Sequence, residues 1–438
     1  MRWKTAEYSG WGRAIRANGQ MARPEKRAAL TALMAEEPAP AIGMRRSYGD
    51  ACLNDGGRAV HMIRLDKFLG FDAETGILTA EAGLTLGEIT RVMAPRGWLP
   101  AVLPGTGFAT VGGAIANDVH GKNHHNAGTF AQHVVAMTLL TPDGAEHRVT
   151  PETTPDLFRA TVGGVGQTGI IASAEMRLKR VKSDLVTVTE RRANGFDEFI
   201  AMLDSSDTTY SVGWIDATAR GADLGRGLLE EAETAGGLVP TPKSSRTVPM
   251  NAPRFALSAP VVKLFNAMWY RRVPKSGHTV VKPINDFFFQ LDRIHDWNRL
   301  YGKNGFHQFQ CVVPLSAAAQ LRDMLERISA SGLASPLAVL KRTGEGRAGM
   351  MSFPMEGYTL AVDLRAQPEC EALIKRLEDM TADAGGRIYF AKDALCGADR
   401  IQQMYPDLDA WRAEVAKHDP EGRMITDLVR RLKLREPA

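Results

Sequence analysis

The apolar positions of the first 180 residues predict short strands that alternate with helices. Thr85, followed three positions later by Glu88, has the form of a capping box, which predicts a helix that begins there and ends near Pro95. A Pro-Asp-Gly turn at 142–144 lies between two apolar runs and indicates a hairpin. The runs predicted as strands are 60–65, 77–81, 98–103, 133–140 and 146–149. This alternation predicts an α+β domain that ends near residue 180.

The pattern changes after residue 180. Longer apolar runs predict strands over 185–189, 309–313 and 358–364, and helical periodicity predicts helices over 316–328 and 370–384. These elements indicate a second domain, in which helices cover a mainly antiparallel sheet.

Composition is that of an ordinary soluble globular protein. The chain has 438 residues, 44% hydrophobic and 24% charged, and its length favours two domains. The net charge of +4 does not indicate a nucleic-acid partner. The sequence has no apolar run of transmembrane length, no apolar signal-peptide core at its N-terminus and only scattered cysteines. We therefore expect a cytoplasmic protein in a reducing compartment.

The stretch 104–125 carries the strongest functional signal. Its first half is rich in glycine, and its end, from His120 to His125, is dense in polar side chains. Because glycine lacks a Cβ, bare backbone with free N–H groups can approach a ligand closely and seat a phosphate. Neither this stretch nor a second glycine cluster at 163–171 has the spacing of a Rossmann fingerprint or a P-loop. The sequence therefore predicts a nucleotide cofactor held by another kind of site.

Three segments resemble the cofactor segments of the vanillyl-alcohol-oxidase (PCMH) type of FAD-binding fold: 43–50, 104–125 and 163–171. More narrowly, the run His-Gly-Lys-Asn-His-His resembles the decaprenylphosphoryl-β-D-ribose oxidase family, as do the motifs at 308–310, 340–342 and 389–393. The resemblance implies an α+β, two-domain fold with an antiparallel-sheet substrate domain. The implied boundaries are 1–180 for the FAD domain, 181–385 for the substrate domain and 386–438 for a segment that returns to the FAD domain.

The resemblance also implies an activity. Members of that family are FAD-dependent oxidoreductases acting on CH–OH groups. They oxidise the 2′-hydroxyl of a polyprenylphosphoryl ribose to a 2′-keto sugar, the first half of the epimerisation to the arabinose donor of cell-wall arabinan. A separate NAD(P)H-dependent keto-reductase would complete the epimerisation. We therefore expect a lipid-linked phosphosugar as substrate and no nucleic acid as partner.

The resemblance places the FAD on specific residues. Where relatives with covalent flavin carry a histidine before the serine of the first segment, this chain has Arg46, so we expect noncovalent FAD. The implied FAD-binding residues are Ala41, Ile42, Gly43, Met44, Arg45, Arg46, Ser47, Tyr48, Gly49, Asp50, Ala51, Gly105, Thr110, Val111, Gly112, Gly113, His120, Ile170, Ile171 and Tyr389.

The same resemblance implies a substrate pocket lined by Lys122, Gln308, Gln310, Lys341, Ala361 and Lys392. Lys392, His120 and Tyr48 are the candidate catalytic residues. Lys392 is expected either to accept the hydroxyl proton, which requires a lowered pKa, or to orient the hydroxyl. Ala361 stands where the mycobacterial enzyme has the cysteine trapped by nitroaromatic inhibitors. His124 and His125 have no carboxylates at metal-ligand spacing, so no metal is expected.

Residues 234–285 contain no Asp or Glu, whereas eight Lys and Arg are interleaved with aromatic side chains. Because prolines interrupt this basic segment, one interpretation is an irregular, solvated excursion. The other is a flexible cover that meets an anionic, partly apolar partner, which predicts peripheral contact with a membrane or a lipid-linked phosphate. Single-stranded nucleic acid suits the same composition.

Two other functions stay open at this point. One is an aldonolactone- or alditol-type oxidase that acts on a soluble sugar with oxygen as acceptor, although Lys122, Lys341 and the basic segment count against it. The other is a polyanion-binding protein whose flavin fold is vestigial, which a yellow purified protein would exclude.

Overall fold

The computed structural model describes residues 3–237 and 244–436. The strands of the N-terminal part are β1 Lys4–Ser9, β2 Arg16–Ala22, β3 Ala41–Ile42, β4 Arg58–His61, β5 Phe68–Asp72, β6 Ile77–Glu81, β7 Trp98–Pro100, β8 Val134–Leu140, β9 Glu146–Val149 and β10 Ile170–Arg180. They form one sheet of order β1-β2-β4-β3 and a second of order β5-β6-β10-β8-β9, with β7 also paired to β10.

The remaining strands are β11 Leu185–Ala193, β12 Tyr210–Ile215, β13 Gly227–Ala235, β14 Arg246–Thr247, β15 His278–Pro283, β16 Ile294–His295, β17 Phe306–Val313, β18 Ala334–Thr343, β19 Gly357–Arg365 and β20 Arg387–Ile388. Eight of them form an antiparallel sheet of order β15-β11-β13-β12-β18-β19-β17-β20, and β14 pairs with β16. The α+β architecture and the antiparallel second sheet are confirmed.

The helices are α1 Arg27–Glu36, α2 Leu86–Met93, α3 Val111–Ala116, α4 His124–Ala127, α5 Pro155–Thr161, α6 Phe196–Asp204, α7 Ala259–Arg271, α8 Ile284–Phe288, α9 Ala318–Ser331, α10 Pro368–Asp383, α11 Ile401–Met404, α12 Leu408–His418 and α13 Asp427–Arg431. Within the described residues, no helix has the length and apolar character that crossing a membrane requires.

Local sequence signals account for several element boundaries. The Thr85 hydroxyl accepts the Glu88 N–H at 3.2 Å and begins α2, as the capping pattern predicts. The predicted hairpin is the antiparallel pair β8 and β9. The strand predicted over 98–103 is too long, because β7 ends at Pro100. On one side of β10 the Leu178 N–H donates to the Gly76 carbonyl, next to β6. On the other side Pro100 of β7 pairs with Leu178, and Val134 of β8 already pairs with Met176, so β7 ends where β8 begins.

The irregular interpretation of the basic segment is wrong for most of its described part. It contains α7, which has 13 residues, as well as β15 and the start of α8. Pro260 occupies the first turn of α7, where a missing N–H costs nothing, and the next proline is Pro274. Residues 238–243, which include Lys243, lie outside the described residues.

Side chains alternate across the eight-stranded sheet and give it two different faces. On one face, Phe309 of β17 packs with residues of α6, α9 and α10, such as Phe199, Leu321 and Leu377, in a large apolar core. On the other face, Gln308 and Gln310 of β17 line a cavity. The sheet thus supplies one wall of the site while the helices stabilise it from behind.

The C-terminal segment packs against the N-terminal part. Trp411 of α12 donates its indole N–H to the Ala160 carbonyl at 3.0 Å, and Arg431 of α13 binds Asp50. The strand β20 still belongs to the eight-stranded sheet. The domain boundaries at 180 and 385 stay a prediction.

Candidate functional site

One cavity of about 1150 Å³ lies between the N-terminal sheets and the eight-stranded sheet. It brings together all three glycine-containing segments and all six residues predicted to bind substrate. It also receives α7 and residues 286–301 from the other side. Residues far apart in sequence therefore share one chamber, as the predicted site requires.

The first segment follows β3, which pairs in parallel with β4. Its residues 41–48 line the cavity, and Arg45 has a φ of 52°. Neither a backbone nor a side-chain acceptor for the N–H groups of residues 44–47 occurs among the described residues. The segment therefore presents a row of free donors to the cavity, as a phosphate-binding loop does.

The same segment is fastened to the loop that carries Lys392. The Tyr48 N–H donates to the Ala391 carbonyl at 2.8 Å. A Cβ at Gly49 would lie 1.7 Å from the Asp393 carbonyl oxygen, so only glycine fits there. Asp50 accepts two hydrogen bonds from Arg431, which also binds Asp393. Residues 46–50 thus join the cofactor segment to the loop that carries Lys392.

Arg46 lies between two aromatic rings at the cavity wall. Its guanidinium carbon is 3.9 Å from the centre of the Trp11 ring and 4.3 Å from that of Phe108. Burial lowers the pKa of Arg46, and the nearby Asp292 opposes this shift. A packed guanidinium, rather than an imidazole, therefore occupies this position, in agreement with a flavin held without a covalent bond.

The glycine-rich stretch provides room for a ligand rather than free backbone N–H donors. The expectation that the N–H groups over 110–113 are free for a ligand is wrong for three of them. Val111 donates to the Leu84 carbonyl at 2.9 Å, Gly112 to Ala82 at 2.8 Å and Gly113 to the Thr110 hydroxyl at 3.2 Å. These bonds cap and anchor α3, which satisfies its first N–H groups within the protein. By contrast, a Cβ at Gly105 would meet nothing within 4 Å.

Four predicted FAD residues do not line the cavity. Val111 and Ile170 are buried in apolar cores, whereas Ile171, the alternative to Ile170, does line it. Gly49 and Asp50 are held against the 393–431 contacts described above. These four residues therefore lie behind the cavity wall and support it.

A buried aromatic and polar group closes the cavity next to the first segment. His120 is 7% exposed, and its Nε2 lies 3.1 Å from the Gln310 amide nitrogen. Its ring packs 5.2 Å from Tyr389 and 5.4 Å from Phe353. Burial and the nearby Lys341 hold the pKa of His120 well below its usual value. His120 is therefore neutral, with its Nε2 accepting the Gln310 amide N–H and its Nδ1 carrying the ring proton.

Lys392 lies at the centre of this end. Its Nζ is 3.4 Å from the centre of the Tyr48 ring. Burial lowers the pKa of Lys392, whereas the carboxylate of Asp363 opposes that shift. Asp363 is fully buried and accepts hydrogen bonds from Tyr301 at 2.9 Å and from Gln308. The arrangement gives a lysine that can hold or release a proton near neutral pH.

Two further lysines lie along the same wall. Lys122 donates to the Phe287 carbonyl at 2.6 Å and lies 3.8 Å from Glu230. Lys341 has no carboxylate within 4.0 Å among the described residues. Burial lowers the pKa of each to about 8, and Lys122 lowers that of Lys341 further. An anion bound between them would relieve this repulsion.

The other predicted polar residues have structural partners. The His124 Nδ1 accepts the Gly344 N–H at 3.1 Å, and the His125 Nε2 lies 2.9 Å from the Thr208 carbonyl oxygen. Ala361 lines the cavity beside Thr359, which is buried.

Comparison with known proteins identifies the chain. Residues 22–150 match the FAD binding domain family. The chain is 34% identical to decaprenylphosphoryl-beta-D-ribose oxidase of Mycolicibacterium smegmatis, over 98% of both proteins. It belongs to the decaprenylphosphoryl-β-D-ribose oxidase family. Delta(24)-sterol reductase of Homo sapiens is 33% identical over 27% of this chain and 23% of its own length. The chain is also 34% identical to an uncharacterized protein in the mprA 5′ region of Streptomyces coelicolor, over 80% of this chain and all of that protein.

As a member of the decaprenylphosphoryl-β-D-ribose oxidase family, the chain is an FAD-dependent oxidoreductase, and its cavity fits the cofactor. The free N–H groups over 44–47 suit a pyrophosphate. The open spaces at Gly105 and Gly166 leave room for a ligand against bare backbone. The Asn117 Oδ1 and the His120 Nδ1 are buried and find no partner among the described residues.

Several residues around the candidate site were not predicted from the sequence. Asp363 and Tyr301 control the surroundings of Lys392, and Glu230 faces Lys122. Trp11 and Asp292 surround Arg46. None of these belongs to a local motif. For Asp363, the signal available was an acidic residue at the end of a strongly apolar strand, only two positions beyond Ala361.

Proposed function

We propose that the chain oxidises the 2′-hydroxyl of a polyprenylphosphoryl ribose to a 2′-keto sugar, the first half of epimerisation to the arabinose donor of cell-wall arabinan. The observation that carries this proposal is the arrangement along one cavity. A buried lysine with lowered pKa, two further lysines that repel each other and an apolar wall built by α7 line the same cavity. A substrate with a hydroxyl, a phosphate and a lipid chain offers a partner for each of these three features.

FAD, when bound, supplies the oxidant that accepts the hydride from the carbinol carbon. Arg46, the N–H groups over 44–47, Gly105, His120, Ile171 and Tyr389 would hold it, without a covalent bond. This assignment is supported by their position on the cavity wall and by the absence of a histidine before Ser47.

The residues of the chain handle the proton. In its neutral form, Lys392 accepts the hydroxyl proton at Nζ, while Asp363 stabilises the ammonium group that forms. Gln308 and Gln310 donate their amide N–H groups to Asp363 and towards His120, so their side-chain carbonyl oxygens are left to accept sugar hydroxyls. The Tyr48 ring packs against the Lys392 amine. Together, these contacts orient the sugar and determine which hydroxyl loses its proton.

The phosphodiester is assigned to the space between Lys122 and Lys341. A single negative charge there would offset the mutual repulsion of two buried cations. The 2′-keto product retains the lipid phosphate, and we propose that a separate NAD(P)H-dependent keto-reductase consumes it.

Anaerobic reduction of the bound flavin tests the proposed function. The flavin absorbance should bleach with a short-chain polyprenylphosphoryl ribose and not with free ribose or alditols. Bleaching by free polyols alone would favour an alditol-type oxidase, and a colourless protein that binds no FAD would favour a vestigial flavin fold. Either result would contradict the proposal.

A further inference from the structure

The helix α7 presents exposed apolar side chains on one side. Leu264 is 62% and Met268 58% exposed, and Val261 and Phe265 extend the same stripe at helical spacing. In the preceding 3-10 turn, Phe255 is 71% exposed. An uninterrupted apolar stripe of this kind is costly in water unless something covers it.

The opposite side of α7 is anchored to the sheet. Asn266 is fully buried and donates to Asp216 at 2.8 Å, and Val262 is buried beside it. Between these two sides, Phe265 and Trp269 stack at 6.0 Å and line the cavity together with Val261. One helix therefore separates the cavity from the outside, with apolar residues on both surfaces.

The cations of the basic segment divide into two groups. Arg272 and Lys282 point inward and bind Glu190, which is 1% exposed. The other five described cations are exposed, and no carboxylate lies within 4.0 Å of them among the described residues: Arg246, Arg254, Lys263, Arg271 and Lys275. Lys263 and Arg271 belong to α7, and the other three lie in the segments on either side of it, so this part of the chain carries positive charge that no internal carboxylate among the described residues offsets.

We propose that the outer surface of α7, with these five cations, docks on an anionic lipid bilayer, and that the lipid chain of the substrate enters the cavity along Val261, Phe265 and Trp269. The entry route rests on the proposed function, whereas the docking surface does not. Charge complementarity selects the occupant, because an exposed aliphatic stripe flanked by unpaired cations matches apolar chains beneath anionic headgroups. It also explains how a substrate with a long lipid chain reaches a buried lysine without leaving the membrane.

Vesicle flotation tests the docking surface. Purified holoenzyme should float with vesicles of phosphatidylglycerol and phosphatidylcholine, and much less with phosphatidylcholine alone. The double substitution Leu264→Glu and Met268→Glu should lower vesicle affinity at least tenfold, because it places charge where acyl chains would lie. Arg271→Glu should lower it by roughly 25-fold, since about fivefold is lost for each unit of charge. The matched control is Leu69→Glu, at an apolar residue 53% exposed on β5, which should leave binding unchanged.

Two further measurements fix the interpretation. Brominated lipids should quench the fluorescence of Trp269, which is identified by comparison with Trp269→Phe. Flavin reduction by a short-chain soluble substrate should be unaffected in the Leu264→Glu, Met268→Glu variant, whereas reduction by a long-chain substrate in vesicles should fall by about tenfold. Neither Leu264 nor Met268 lines the cavity, so this difference reports access alone.

Equal flotation of the double variant and the wild type would overturn the docking surface. Self-association of the wild type that the double variant abolishes, without any vesicle binding, would show that a second copy covers the stripe. Flotation needs neither substrate nor turnover. A wild type that floats but is not reduced by the phosphosugar would therefore contradict the proposed function and leave the docking surface standing.

Discussion

Two parts of the cavity differ in their side chains: the part around Lys392, called its polar end, and the part along α7, called its apolar end. Around Lys392, the side chains of Asp363, Gln308 and Tyr301 are buried and hydrogen-bonded to one another. Along α7, the side chains are apolar, partly exposed and held by packing. This difference fits the proposed roles, because fixed geometry and a low dielectric set the pKa of a reactive lysine, whereas binding of a lipid chain needs only apolar area.

Replacement of Lys392 tests the polar end of the cavity and has the largest expected effect. Lys392→Met should lower the rate of flavin reduction by about 10²- to 10⁴-fold, since a general base contributes on this order. Anaerobic stopped-flow absorbance measures it. Exposed Lys303 supplies the control, Lys303→Met. Partial rescue by added primary amines would identify Lys392 as the base, and a normal rate would remove it from the chemistry.

Replacement of Asp363 tests whether the pH dependence of the rate reports the titration of Lys392. The rate should rise with pH as Lys392 loses its proton, and the Asp363 carboxylate raises the pKa of Lys392. Asp363→Asn should therefore move this limb of the pH–rate profile to lower pH, by roughly one unit or more. The control is Glu414→Gln, which alters a carboxyl group that is also buried but lies on α12, where it pairs with Lys417 and His418. A limb that stays in place would separate Asp363 from the titration of Lys392.

Replacement of Trp269 tests whether the apolar end of the cavity binds the lipid chain of the substrate. Trp269→Ala should raise KM for a long-chain substrate about fivefold (~1 kcal/mol) and leave kcat unchanged, because it removes apolar area on α7 and none of the hydrogen-bonding groups around Lys392. A short-chain substrate serves as the control and should show no change. An equal fall in kcat for both substrates would mean that α7 also shapes the polar end.

Introduction of a thiol at Ala361 is the mildest change, since it adds one atom at the cavity wall. Ala361→Cys should keep the turnover of the wild type and acquire a covalent adduct with nitroaromatic inhibitors, whereas the wild type should form none. Intact-protein mass spectrometry measures the adduct. An adduct on the wild type would mean that another cysteine, such as Cys52 at the cavity wall, reacts.

Local sequence was enough for much of the fold and for most of the site. The three glycine-containing segments and the motifs at Gln308, Lys341 and Lys392 all reach one cavity, because short motifs carry backbone freedom and side-chain chemistry together. The boundaries of β6 and the start of α2 follow from alternation and capping. By contrast, α7 was missed because frequent prolines masked the helix between Pro260 and Pro274.

The motifs and the family resemblance were enough to predict the cofactor, the class of reaction and most of the residues that meet in the cavity. How those residues behave depends on the three-dimensional fold. It placed Asp363 near Lys392, turned Arg272 inward to Glu190 while leaving Arg271 exposed, and used the N–H groups of Val111 to Gly113 within the protein. The physical reason is that pKa values, ion pairing and free donors depend on burial and on partners brought from distant strands, which no local spacing records.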